Sequence, residues 1–217
     1  MTDTYLTINE PSEGLYKEKA SKFIAYAFPV TSVEQCQAHI QEIKRMHFKA
    51  RHHCFAYEIG FDGQEYRASD DGEPSGTAGK PILGQIRSAQ LKNILIVVVR
   101  YFGGTKLGVS GLIHAYKSGA KDAIDQAQII NSVRQSYFAI TFGYDLMPQI
   151  MSALKSRDIT ISSKSFEDKG IIYFSTPYSL SDNICRRLMA DIEQKPLELI
   201  TEDHKTFGYE IKLLRSD

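Results

Sequence analysis

Apolar and polar positions change period several times along the chain, and each change marks an element. Residues 22–30 hold a nearly continuous apolar stretch, which predicts a strand. Ser32 follows as a helix cap with Gln35 at the reciprocal capping-box position. Val33, Cys36, Ile40 and Ile43 then recur at helical spacing, so a helix is expected to about residue 47. Residues 54–60 and 64–69 alternate as two strands, with Asp62-Gly63 as the hairpin turn between them. A loop rich in Gly, Asp, Pro and Ser spans 70–79, and Pro81 suits the first turn of a helix running to about residue 89. Residues 93–100 are apolar almost throughout and β-branched, the composition of a central strand covered on both faces. That strand empties into a glycine-rich loop, 101–111. A helix follows from about 110 to 127, with Leu112, Ala115, Tyr116, Ala120 and Ala123 as its packing face.

The pattern then restarts. A strand at 135–142, a helix at 145–156, strands at 159–166 and 170–177 joined by a turn at 168–170, a helix at 181–193 and a strand at 197–214 give the βαββαβ order of a ferredoxin-like fold. The expected class is therefore α/β, in the α+β sense. Two domains are expected, 1–130 and 134–217, parting near 128–134.

Composition narrows the class. Hydrophobic residues make up 42% and charged residues 24%, ordinary for a chain that buries a core. The longest apolar run, 94–99, is far too short to span a bilayer. The N-terminus shows no basic segment followed by an apolar one, so a cytoplasmic protein without membrane association is expected. Cys36, Cys54 and Cys185 are widely spaced with no C-x-x-C pair, which fits buried free thiols better than disulfides or zinc.

Net charge is zero, but its distribution is uneven. Residues 74–121 contain no acid and seven bases, and residues 43–57 contain no acid beside Lys44, Arg45, Lys49 and Arg51. The acids of this half cluster between, from Glu58 to Glu73. A locally positive surface beside a negative loop follows, or else solvated lysines scattered over unrelated faces.

Three segments invite chemistry. In the first, Gly79-Lys80 opens a helix whose N–H groups suit an anion, but Pro74 and Pro81 stand where a phosphate loop needs Gly and Ser or Thr. Its carboxylates Asp70, Asp71 and Glu73 suit Mg²⁺, or equally the capping of turns. In the second, Arg100 ends the buried strand and Gly103, Gly104, Gly108 and Gly111 follow without the G-x-G-x-x-G spacing of a dinucleotide site. In the third, Arg51-His52-His53-Cys54, adjacent histidines entering a strand point to opposite faces and do not share one metal ion.

The strings Ala50-Arg51-His52-His53-Cys54, Ser69-Asp70-Asp71-Gly72-Glu73-Pro74-Ser75-Gly76-Thr77-Ala78-Gly79-Lys80-Pro81 and Val98-Val99-Arg100-Tyr101-Phe102-Gly103-Gly104-Thr105-Lys106-Leu107-Gly108 closely resemble the signature of the IMPACT/YigZ family. The resemblance covers about residues 16–130, and the remainder looks like the short C-terminal domain of the bacterial branch. It implies an N-terminal domain like the second domain of ribosomal protein S-five, as also seen in domain four of elongation factor G. It implies a ferredoxin-like C-terminal domain similar to the last domain of that factor. The eukaryotic branch looks like a translational regulator that restrains the general-control kinase by competing for its activator. One departure is notable: where the family often shows G-x-G-G-L-x-[RK]-A-Y, Ser110 replaces a glycine and His114 the basic residue. If that helix end binds phosphate, binding is expected to be weaker or more pH-sensitive, because histidine is mostly neutral at pH 7.

The reading that follows is a translation-linked protein binding structured RNA or the ribosome, with no cofactor or metal, no membrane and no DNA specificity. Lys80, Arg100 and Lys106 are expected to contact phosphates, with Arg51 and Arg67 as secondary candidates for the same role and His52, Asp70, Asp71, Glu73, Gly103 and Gly104 completing the site. The alternatives are a protein-interaction regulator and an enzyme on a small phosphorylated ligand.

Overall fold

The computed structural model describes residues 3–157, 159–201 and 203–216. They form two compact units, Tyr5–Ser132 and Val133–Asp217, the latter including Met1–Thr4.

The first unit runs β1 (Thr4–Ile8), β2 (Ser12–Glu18), β3 (Ser21–Pro29), α1 (Val33–Met46), β4 (His52–Ile59), β5 (Glu65–Ser69), α2 (Gly79–Ser88), β6 (Ile94–Tyr101), α3 (Gly108–Asp125) and β7 (Ile129–Val133). Strands β2-β3-β6-β4-β5 make one sheet, antiparallel at every pairing. The central strand is β6, and its alternation serves two cores. Ile94, Ile96 and Val98 pack with Ile82 and Ile86 of α2 and Ala115 and Tyr116 of α3. Leu95, Val97 and Val99 pack with Cys36, Ile40 and Ile43 of α1. All six β6 side chains are fully buried, each stabilising the sheet by roughly 1.5–3 kcal/mol. An unbroken apolar run is thus what a strand between two helical layers needs. At the start of α1, Ser32 Oγ accepts the Gln35 N–H at 3.3 Å, and Gln35 Oε1 accepts from Thr31 N–H at 2.7 Å. The reciprocal bond therefore falls one residue earlier than the standard box.

Three strands escape the periodicity argument. β2 is mostly polar and holds its place at the sheet edge through its ladder with β3. The segment 128–134, expected to be a bare junction, contains β7, which pairs with β1 in a separate two-stranded sheet.

The second unit runs β8 (Gln135–Phe142), α4 (Met147–Ser156), β9 (Thr160–Phe166), β10 (Gly170–Pro177), α5 (Ser181–Glu193) and β11 (Tyr209–Ser216). The sheet order β11-β8-β10-β9 and the two helices give the ferredoxin-like arrangement. Phe138, Ile140, Phe142, Ile172 and Phe174 meet Ile150, Leu154 and Leu188 in its core. The last strand begins at Tyr209, not near 197. Pro196 precedes a 3-10 turn, Leu197–Leu199, which delivers Ile200 to a fully buried position. The segment forms a turn rather than a ladder, with Leu199 exposed. Cys36, Cys54 and Cys185 are free and buried, and burial pushes the Cys36 and Cys185 thiols up to about 12. Among the described residues, no helix is long and apolar enough to cross a membrane.

Candidate functional site

The site grows from the antiparallel pairing of β4 and β6, which sets His52 opposite Arg100. Strand alternation sends His52, Cys54 and Arg100 to the α2–α3 side and His53 and Phe55 to the α1 side, so the adjacent histidines separate. His52 Nδ1 donates to the Asp71 carbonyl at 2.9 Å, a role fixed because a carbonyl only accepts. Its Nε2 lies 3.9 Å from Glu73 Oε1. His53 Nε2 lies 3.2 Å from the His47 carbonyl, and the ring of His47 bridges the hydroxyls of Tyr26 and Tyr101.

The acidic loop before α2 is spoken for residue by residue. The Asp70 carboxylate accepts the N–H groups of Gly76, Ala78 and Gly79 at 2.8–3.0 Å. It thereby fills the N-terminal end of α2 where an external anion was considered. Partial burial works against its ionisation, but those three donors and nearby Lys80 hold its carboxyl below the usual range. Asp71, with a left-handed backbone at φ +39°, accepts the His53 N–H at 2.7 Å and meets Lys44 at 3.3 Å. Glu73, whose side chain is 3% exposed, accepts from Arg100 Nη1 at 2.6 Å and from the Tyr116 hydroxyl at 2.8 Å. Arg100 was expected to contact phosphates; register places its guanidinium on Glu73. The three carboxylates do not converge on one ion, which removes the basis for a metal held by them.

A cleft of about 920 Å³ opens above this floor. The entry to β4 contributes Lys49, Ala50, Arg51 and His52, and the acidic loop contributes Glu73 and Pro74. The second glycine loop contributes Arg100, Tyr101, Phe102, Lys106 and Leu107, and α3 contributes Gly108, Val109 and Leu112. The two glycine loops therefore face one space. Glu73 is the one carboxylate among these residues, and it is already paired. No side chain caps the start of α3, whose first residues line the cleft, so its positive dipole end faces the opening. Arg100 is 8% exposed, and its Nε has no hydrogen-bond partner.

Of the residues expected at the site, Arg51, His52, Glu73, Arg100 and Lys106 line this cleft. Arg67 does not: β5 carries it to the α1 side, over the Phe55 ring at 5.9 Å. Lys80 is exposed on α2 outside the lining. Asp70 and Asp71 hold the loop from behind. Gly103 is a packing residue, since a Cβ there would lie 2.1 Å from the Ala20 backbone. Gly104 supplies a turn at φ +90°. Lys49, Tyr101, Phe102, Leu107 and Val109 were missed. Lys49, two residues before Arg51 in an acid-free run, carried a usable signal.

In the second unit, a cleft of about 570 Å³ between α4 and α5 includes Asp191, which is locked to Arg157 by bonds of 2.7 and 2.9 Å. It gathers none of the candidate residues.

Fold and cleft together define a two-unit α/β protein whose first unit carries a cleft lined by cationic side chains beside a five-stranded sheet and whose second unit is ferredoxin-like. The family model described as Impact N-terminal domain matches residues 19–124. The IMPACT family member YvyE of Bacillus subtilis is 33% identical over 168 residues, 77% of each chain. YigZ of Escherichia coli is 32% identical over 184 residues, 84% of this chain and 90% of its own. A crystal structure of a hypothetical protein matches with a TM-score of 0.73 at 30% identity, covering 89% of this chain and 95% of that one. The chain belongs to the IMPACT family.

Proposed function

We propose that the chain is a translation-linked regulatory protein that binds structured RNA, free or in the ribosome, through the cleft of its first unit. The observation that carries this reading is the one-sided charge of the cleft. Lys49, Arg51 and Lys106 line it beside the uncapped start of α3, and its single carboxylate is neutralised by Arg100. The likeness to domains of ribosomal protein S-five and elongation factor G that the family resemblance implies supports the same partner. The test is RNA affinity as a function of salt, with purified ribosomes and an RNA hairpin as ligands. Each phosphate contact contributes about 0.7–0.9 to the slope of log affinity against log salt. Lys106→Ala is expected to weaken binding on every RNA sequence and to reduce the slope by just under one unit. An unchanged slope and affinity removes this loop from the RNA surface, and a wild-type protein with no salt-dependent RNA binding ends the reading.

A second reading, protein contact as in the eukaryotic branch, is favoured by one observation. Met46 and Phe48 are 58% and 75% exposed, immediately before the Lys49–Arg51 stretch. Salt-tolerant binding of a protein partner, lost in Phe48→Ala and retained in Lys106→Ala, is its signature.

A further inference from the structure

The cleft has an apolar wall as well as a cationic one. Phe102, 58% exposed, stands on it with Leu107, Val109 and Leu112. The Arg100 guanidinium lies 5.4 Å from the centroid of the Phe102 ring, so one face of the ring is occupied and its orientation is set before any ligand arrives. Simple phosphate attraction does not need an aromatic ring, and a lysine patch on a convex surface serves a duplex as well. A recess joining an exposed, pre-oriented ring to Lys49, Arg51 and Lys106 suits a different object. Resting on the RNA reading above, we infer that this cleft takes an unpaired nucleotide of RNA. Its base stacks against Phe102, and its phosphate lies among Lys49, Arg51, Lys106 and the start of α3.

Three features support this occupant. A base in a closed duplex is stacked on both faces and does not reach into a recess, whereas loop, bulge and end nucleotides splay out and stack on aromatic side chains. Arg100, at the floor of the same cleft, holds a buried Nε–H with no partner, and leaving such a donor unpaired costs free energy that an acceptor brought to the floor would offset. Charge complementarity excludes an acidic obstacle, since Glu73 is already held by Arg100 and Tyr116. The wall of Phe102 then provides binding that depends on the presence of a base but tolerates its identity, because every base has a π-face.

The experiment uses the full chain and three probes: a single-stranded RNA about eight nucleotides long, the same backbone with its bases removed, which carries the same charge, and the strand annealed to its complement, which carries twice that charge. The single strand is expected to bind at least about tenfold tighter than either of the others. Phe102→Ala is expected to weaken single-strand binding by about 5- to 150-fold and to leave the abasic strand unchanged. Phe102→Trp, which keeps the ring, is expected to retain the affinity and controls for damage to the fold. Lys106→Ala weakens single and abasic strands alike. If all three probes bind equally and Phe102→Ala changes nothing, the base pocket is refuted while the phosphate reading stands. If no probe binds in a salt-dependent way, the RNA reading itself fails. A polyglutamate peptide that binds as tightly as the single strand, and is lost with Phe102→Ala, overturns the inference in favour of an acidic protein.

Discussion

Replacing Arg100 by alanine isolates the pair on which the cleft floor rests. The substitution leaves the Glu73 carboxylate 3% exposed, with the Tyr116 hydroxyl as its remaining strong donor. A surface pair broken in this way costs well under 1 kcal/mol, because water takes the place of the lost partner. A buried pair broken on one side costs about 3–5 kcal/mol, because the remaining charge is desolvated and uncompensated. Over a unit of roughly 130 residues this lowers Tm by about 10–20 °C. The assay is calorimetry with urea unfolding followed by circular dichroism. The control is the double variant Arg100→Met, Glu73→Gln, which removes both charges while keeping most of the volume. It is expected to recover at least half of the loss, since apolar or neutral replacement of an entire buried pair is often tolerated. A loss below about 1 kcal/mol for Arg100→Ala would falsify the placement of this pair in a desolvated floor. A double variant no more stable than the single one would show that packing, not charge, was lost.

Gly103→Ala forces a methyl into the Ala20 backbone, where neither side is a flexible side chain end; a fall of about 1–3 kcal/mol in urea stability with unchanged m-value is expected. In the second unit, burial works to raise the Glu193 carboxyl, but hydrogen bonds from Lys195, His204 and Tyr209 outweigh it and hold the group down at about 2. Its contribution is therefore present above the ordinary value of 4.5 and is lost as pH falls from there towards 2. Glu193→Gln should flatten the acid limb of stability in that window, and an unchanged limb would count against this network. We also expect residues 133–217 to unfold cooperatively as a separate fragment, because their strand–helix order is complete; a fragment that melts without a transition would show dependence on the rest of the chain.

The sequence by itself determined what depends on local period and on near neighbours. The apolar run 94–99 could only be a strand covered on both faces, Ser32 with Gln35 marked the start of α1, and βαββαβ followed from spacing alone. The motif strings placed the chain among its relatives for the same reason: they are contiguous. It was less informative at β2, whose polar residues are held by a ladder, and at residues 197–200, where Leu-Glu-Leu-Ile forms a turn and not the start of a strand. Only the tertiary structure decided who meets whom. Glu73 reaches Arg100 across 27 positions and Tyr116 across 43. Asp70 turns from a candidate ligand into the cap of α2 because three N–H groups close on it. Phe102 and Lys49 join one cleft while Arg67 and Lys80 stay outside it. These outcomes turn on strand register and on the direction of each side chain, and a shift of one residue in the β4–β6 pairing would send His52 and Arg100 to opposite faces.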